Sequence, residues 1–246
     1  MLKIAVIIGS TRPGRVGESV ARWVHELASR RQDAAFELVD LLDLDLPLLD
    51  EPVPPSQGRY SQPHTKAWAA KVASFDGYVF VAPEYNHGIN GALKNAIDFV
   101  YGEWNNKAAG FVGYGSLGGG RAGEHLRLVM AELQVATVRA QVALSLATDF
   151  ENYTTFKPHA RHEKSLGTML DQLVAWARHH VMLTVMAPTL TAAGVTAAAA
   201  CLLLVPVLVS MLVIAHVLGF LSFHCGVDHG VGEALWCPSW SSVPDA

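Results

Sequence analysis

The chain has 246 residues, with 18 Lys and Arg against 22 Asp and Glu, and a formal net charge of −4. This balance excludes the extended basic surface that nucleic-acid-binding proteins present. All 18 Lys and Arg residues lie at or before Arg178, and no charged residue occurs from His179 to Val227. The composition therefore predicts a polar domain over residues 1–180 and a hydrophobic appendage over residues 181–246.

Short apolar runs alternate with amphipathic segments along the polar domain. The apolar runs predict five strands, at Lys3–Ile8, Phe36–Leu41, Gly77–Ala82, Ala108–Tyr114 and Val135–Ala143. Apolar residues at three- and four-residue spacing predict helices at Glu18–Arg30, His64–Ser74, Asn90–Tyr101, Gly118–Leu133 and His162–Arg178. The acidic, proline-punctuated stretch Asp43–Pro63 fits neither period, and we expect a surface loop near the site.

This alternation predicts a single α/β domain of three layers, with helices on both faces of a five-stranded parallel sheet. Because crossover connections are right-handed, the expected strand order is 2-1-3-4-5. Ligands of such sheets bind beyond the carboxyl ends of the strands. The loops after the first, third and fourth strands are therefore the candidate site.

The loop after the first strand has the chemistry of an anion site. Ser10 and Thr11 offer hydroxyl donors, and Arg12 and Arg15 offer planar charged donors that suit phosphate oxygens. The loop opens the first helix, whose N-terminal N–H groups favour negative charge. It is neither a Walker A sequence nor a Gly-x-Gly-x-x-Gly fingerprint. The alternative is a surface turn with two solvated arginines.

The loops after the third and fourth strands suit a flat ligand. Within Pro83–Gly88, Tyr85 offers an aromatic face and Asn86 an exposed amide. The alternative for this loop is an ordinary turn before a helix capped by Asn90. Gly113–Gly123 contains six glycines, which leave room for a ring to approach the strand end. Together the three loops predict a flat ligand that carries a phosphate.

Three segments of the chain resemble the NADPH-dependent FMN reductase family, flavodoxin-like folds that include quinone, azo-dye and chromate reductases. They are Gly9–Arg12, Pro83–Asn86 followed by Gly91–Asp98, and the Gly118–Gly119 turn. The resemblance implies a flavodoxin-like fold over residues 1–180, FMN as cofactor, and NADPH or NADH as electron donor.

The resemblance also implies roles for individual residues. It places the FMN phosphate at Ser10, Arg12, Val16 and Gly17, the isoalloxazine along Pro83, Glu84, Tyr85 and Asn86, and the other side of the ring at Gly115, Ser116 and Gly118. Many family members have a Ser a few residues after the Arg, where this chain has Arg15–Gly17. Hydride transfer between two stacked rings needs positioning more than a protein acid or base, so no catalytic residue is assigned. No metal ligands are expected either.

The predicted activity is the transfer of two electrons from NAD(P)H through flavin to a small acceptor, such as a quinone, free flavin or azo compound, by a ping-pong mechanism. Family members commonly form dimers or tetramers through the helix that follows the Pro83–Gly88 loop. Tyr101 and Trp104 fit such an interface and fit core packing equally well. Two alternatives remain: an electron carrier or flavin sensor without nicotinamide activity, and a membrane-tethered scaffold with empty loops.

The appendage contains an uncharged apolar stretch, Thr196–Phe223, longer than the about 20 residues that span a bilayer. It predicts a single transmembrane helix, and an extension with no selected fold is the alternative. Arg178 precedes the stretch while Asp228 and Glu233 follow it, so the positive-inside rule puts the reductase domain in the cytoplasm. Because Met1 leads almost directly into the first strand, no signal peptide is expected.

Overall fold

Five parallel strands form the central sheet, and helices cover both of its faces. The structure, a computed structural model, describes residues 1–182. The strands are β1 (Leu2–Ile8), β2 (Ala34–Asp40), β3 (Gly77–Tyr85), β4 (Gly88–Ile89), β5 (Ala108–Gly115), β6 (Ala136–Ser145), β7 (Phe150–Glu151) and β8 (Thr155–Phe156). The helices are α1 (Gly17–Ala28), α2 (Leu41–Leu44), α3 (Pro63–Ala73), α4 (Gly91–Asp98), α5 (Gly120–Glu132) and α6 (161–182), with a 3-10 turn at Pro55–Gln57.

The strand order confirms the predicted topology. Hydrogen-bonded neighbours run β2-β1-β3-β5-β6, which is the order 2-1-3-4-5 when the five parallel strands are counted. The central strands β1, β3 and β5 are buried along almost their whole length. Helices cover both faces of these strands, so both faces must be apolar, and this is why they appear in the sequence as unbroken apolar runs.

Two hydrophobic cores hold the three layers together. On one face α1 and α6 pack against the sheet through small and branched residues such as Val20, Val24, Leu170 and Leu173. On the other face α3, α4 and α5 pack around the buried rings of Trp68, Tyr78, Phe80, Trp104 and Phe111. Since α6 supplies one of its layers, the domain includes the helix predicted at His162–Arg178 as an integral part.

Two short antiparallel pieces are additions to the predicted elements. After β3 the chain turns back at Asn86 and His87, whose φ angles are 49° and 67°, so that Ile89 pairs with Glu84. The third strand consequently continues to Tyr85. The second piece is the β7–β8 hairpin, in which Phe150 pairs with Phe156.

Helix α4, predicted at Asn90–Tyr101, is shorter than expected. It ends at Asp98, and the chain then turns so that Trp104 enters the core, where its indole N–H donates to Ile97 O at 3.1 Å. Trp104 is fully buried. It is therefore a core residue, and it offers no surface to a partner.

None of the helices within residues 1–182 is long and apolar enough to cross a membrane. The predicted span at Thr196–Phe223 lies outside the described residues.

Candidate active site

Three loops meet at the carboxyl edge of the sheet and line one cleft. They follow β1, β3 and β5, which are neighbours in the sheet, so their ends come together as predicted. Of the predicted site residues, Arg12, Arg15, Val16, Pro83, Glu84, Tyr85 and Gly115 line the cleft. Tyr114, Leu146 and Tyr153 complete its lining.

The remaining predicted residues lie around the cleft. They are Ser10, Thr11, Gly17, Asn86, Ser116 and Gly118. Ser10 is buried behind the wall, and its Oγ lies 3.3 Å from the hydroxyl of Tyr85. Thr11 faces a separate recess between α2 and α4. Asn86 and Ser116 are exposed at loop tips, whereas the two glycines are buried.

The two arginines of the first loop have different surroundings. The guanidinium of Arg15 is nearly buried, donates to Ser10 O at 2.7 Å and forms an ion pair with Asp40 at the end of β2. Arg12 is exposed, and its guanidinium has neither a hydrogen bond nor an ion pair with any residue in 1–182. Arg15 therefore braces the loop, and Arg12 keeps its donors available for a ligand.

Asn90 connects the first loop to α4. Its side-chain amide donates to Gly9 O at 2.6 Å, and the residue is 3% exposed. Although Asn90 precedes α4, its side chain makes no capping hydrogen bond to that helix. The alternative that the Asn90 side chain caps α4 is therefore wrong. The amide instead holds the backbone of the loop after β1, through Gly9 O.

Glu84 ties the second loop to the third. Its carboxylate accepts from the backbone N–H of Arg121 at 2.9 Å and from the Arg121 guanidinium at 2.7 Å. Burial by itself would raise the pKa of Glu84, but the hydrogen bonds from Arg121 outweigh burial and lower it. Glu84 thus stays ionised as an anchor between loops, so it does not supply a proton in the cleft.

The third loop turns through two consecutive left-handed glycines before α5. Gly118 and Gly119 have φ angles of 72° and 71°. A Cβ on Gly119 would lie 2.6 Å from the backbone nitrogen of Tyr114, and one on Gly113 would lie 2.8 Å from Gly119 O. The helix starts at Gly120, two residues after its predicted start. The glycines allow the turn to lie directly on the end of β5.

Sequence reasoning missed Tyr114, Leu146 and Tyr153. Tyr114 belongs to a buried strand, and burial raises the pKa of its hydroxyl, which stays protonated at neutral pH. Leu146 and Tyr153 lie between β6 and α6, in a stretch for which the sequence predicts no element. Two phenylalanines, Phe150 and Phe156, flank the Asn152–Tyr153 turn, and this pattern is the signal that could have indicated a hairpin.

The cleft has a cationic end and an apolar wall. The cationic end combines the Arg12 guanidinium with the N-terminus of α1, and the wall combines Pro83, Gly115 and Leu146. FMN has one terminal phosphate and one flat ring. These donors suit the phosphate and the wall suits the ring, so the residues present fit FMN.

The doubly wound sheet, with its cleft at the carboxyl ends of the strands, has the flavodoxin-like fold. The model of the NADPH-dependent FMN reductase family matches residues 2–149. The chain belongs to this family, and it is a flavin-dependent NAD(P)H oxidoreductase.

Comparison with known proteins agrees with this assignment. An NAD(P)H-dependent FMN reductase of Nectria sp is 42% identical over 159 residues, which are 61% of this chain and 79% of the relative. A 2-hydroxy-1,4-benzoquinone reductase of Burkholderia sp is 30% identical over 195 residues, 72% of this chain and 97% of the relative. In fold, the chain is similar to the NAD(P)H:(acceptor) oxidoreductase FerB of Paracoccus denitrificans, with a TM-score of 0.58 and 21% identity. The match covers 73% of this chain and 99% of FerB.

Proposed function

We propose that this protein holds FMN in the three-loop cleft and passes two electrons from NAD(P)H to a small acceptor of the quinone, free flavin or azo class. The main support is the Arg12 guanidinium, which has no partner among residues 1–182 and lines the same cleft as Pro83 and Gly115. The likeness to the benzoquinone reductase of Burkholderia sp supports a quinone-type acceptor.

FMN, when bound, supplies the carrier for two electrons. The protein's own residues bind and orient. Arg12 and the N-terminus of α1, which begins at Gly17, would neutralise the phosphate. Arg15 holds the backbone of Ser10 in place through its hydrogen bond to the carbonyl. The Glu84–Arg121 pair keeps the second and third loops at a constant separation, which sets the width available to the ring.

Ping-pong kinetics are expected, because NAD(P)H and the acceptor must reach the same cleft and cannot occupy it together. Initial rates of NADPH oxidation, measured with the full chain at several concentrations of a simple quinone, should give parallel double-reciprocal lines. Intersecting lines would contradict the shared cleft. FMN binding without any NADPH oxidation would favour the electron carrier or sensor instead.

A homodimer or tetramer is also proposed. A groove of about 480 Å³ lies between α4, α5 and residues 49–56. Its lining is mainly apolar and includes Ile97, Tyr101 and Val129, together with the charged side chains of Lys94, Asp98 and Glu132. We expect the full chain to sediment as an oligomer, and Val129→Glu to shift it toward the monomer because it would replace an apolar side chain of the groove with a negative charge. Leu128→Glu is the matched control, since Leu128 is 73% exposed and does not line the groove. Equal sedimentation of all three proteins would contradict an interface at this groove.

We further propose that residues 1–180 form the reductase domain and that the hydrophobic appendage is dispensable for cofactor binding. Because α6 continues to Met182 and Val181 packs on the core, the cut is best made after Met182. The shortened protein should remain soluble and loaded with flavin, while the full chain should partition with membranes through Thr196–Phe223. Fractionation and the flavin spectrum of both proteins test this. Loss of flavin from the shortened protein would make the appendage part of the fold.

A further inference from the structure

A short connection between β6 and α6 forms one wall of the cleft. We call this connection, residues 146–160, the strap. Its first residue, Leu146, and the tip of its hairpin, Tyr153, both line the cleft. Tyr153 is 68% exposed and has a φ of 60°, so its ring is presented on a tight turn and is not part of the core. The strap thus brings an aliphatic and an aromatic side chain to a cleft that the three loops would otherwise leave open on this side.

One buried carboxylate fastens both ends of the strap. Asp149 is completely buried, and its Oδ2 accepts from the backbone N–H of Ser145 at 3.0 Å, at the end of β6. Its Oδ1 accepts from Nε2 of His162 at 2.8 Å, in the first turn of α6. Burial by itself would raise the pKa of Asp149, but the Ser145 hydrogen bond, the charge of His162 and further donors lower it. The carboxylate is therefore ionised, and each of its two oxygens accepts a hydrogen bond.

Aromatic side chains pack the strap against α1 and the cleft wall. Phe150 and Phe156 face each other across the hairpin with ring centroids 5.2 Å apart. Phe156 packs edge-on against Trp23 of α1 at 5.6 Å, and Phe150 lies 6.4 Å from Tyr114 in the cleft wall. These rings hold the underside of the strap, and Asp149 holds its two ends.

We propose that the strap covers the apolar part of bound FMN through Tyr153 and Leu146, and that Asp149 and His162 are positioning residues that hold it there. A buried hydrogen bond between a carboxylate and a histidine is weak as a source of stability, because desolvation offsets the attraction, and it is better explained by the single arrangement that it imposes. Here that arrangement keeps Tyr153 in the lining of the cleft that Arg12 and Tyr85 also line. This inference rests on the proposed binding of FMN in the cleft.

The test is titration of the full-length apoprotein with FMN, followed by flavin fluorescence. Tyr153→Gly should weaken binding about 10-fold, the size of one lost aromatic contact and its buried area. Glycine favours the positive φ at this position, so the loss cannot come from a strained turn. Tyr153→Phe keeps the ring and should bind within about twofold of the natural protein.

The positioning pair is tested by a rescue. His162→Leu removes the donor to Asp149 and should weaken FMN binding about 10-fold, whereas His162→Gln keeps an N–H donor and should restore most of it. Asp171→Asn is the control on the same helix, because it removes only the exposed ion pair with Arg31. Its FMN affinity should equal that of the natural protein.

The possible failures are distinct. If Tyr153→Gly binds FMN as tightly as the natural protein, the strap does not cover the cofactor, and this conclusion does not require His162→Leu to fold. If His162→Gln is as weak as His162→Leu, the donor to Asp149 is not what positions the strap. If the natural protein itself binds no FMN, the proposed function fails before the strap is tested.

Discussion

Replacing Gly119 by Ala is expected to lower the free energy of unfolding by about 2–4 kcal/mol and to abolish tight FMN binding. At a φ of 71° an L-residue is strained by about 1–2 kcal/mol. The new Cβ would also lie 2.6 Å from the nitrogen of Tyr114, which is backbone and cannot move aside without displacing β5. Urea unfolding and FMN titration of the variant measure the two effects.

The neighbouring substitution Gly120→Ala is the matched control. Gly120 is the first residue of α5, its φ is not positive, and no atom lies within 4 Å of a Cβ placed there. Because Ala is a better helix former than Gly, this variant should be as stable as the natural protein or more stable by up to about 1 kcal/mol. If both variants unfold at the same urea concentration, the tight turn at Gly119 does not have the importance assigned to it.

Arg12→Ala should weaken FMN binding by about 1.5–3 kcal/mol, or roughly 10- to 150-fold in Kd. The arginine guanidinium has no protein partner within residues 1–182, so removing it leaves no buried group unsatisfied. The stability of the apoprotein should therefore be almost unchanged, and the loss should appear in FMN affinity alone. Fluorescence titration of the apoprotein with FMN measures it.

Two further variants show whether position, and not charge alone, causes that loss. Arg22→Ala removes one positive charge from α1, but Arg22 is exposed, pairs with Glu18 at 2.8 Å and does not line the cleft. It should change FMN affinity by less than about twofold. Arg12→Lys keeps the charge but loses the planar fork, and it should bind with intermediate affinity. An unchanged Kd for Arg12→Ala would mean that the phosphate lies elsewhere.

The sheet and its loops are predictable from the sequence because their signals are local. An unbroken apolar run such as Ala108–Tyr114 can only be buried on both sides, and the glycines after it must form a loop. Right-handed crossovers then leave few possible strand orders. For this reason the strand order is confirmed by the structure, and seven of the predicted residues lie on one cleft.

The strap illustrates what local signals do not predict. Its two strands have two residues each, too few to show a periodicity, and its position depends on Asp149 reaching His162 across the hairpin. The helix after the second loop is a similar case. Its periodicity runs to Tyr101, but the burial of Trp104 requires the chain to turn after Asp98.

By itself the sequence determined the α/β class, the order of the strands, and the three loops that carry the candidate site, because each of these follows from apolar runs and from glycines close together in the chain. Only the tertiary structure decided what the charged side chains in those loops do. The sequence does not distinguish the roles of Arg12 and Arg15, but in the structure Asp40 of β2 forms an ion pair with Arg15 and not with Arg12. Glu84 becomes an anchor because Arg121, 37 residues away, meets it across two strand ends. Such pairings depend on which chain segments the fold brings within hydrogen-bond distance, and no local pattern encodes that distance.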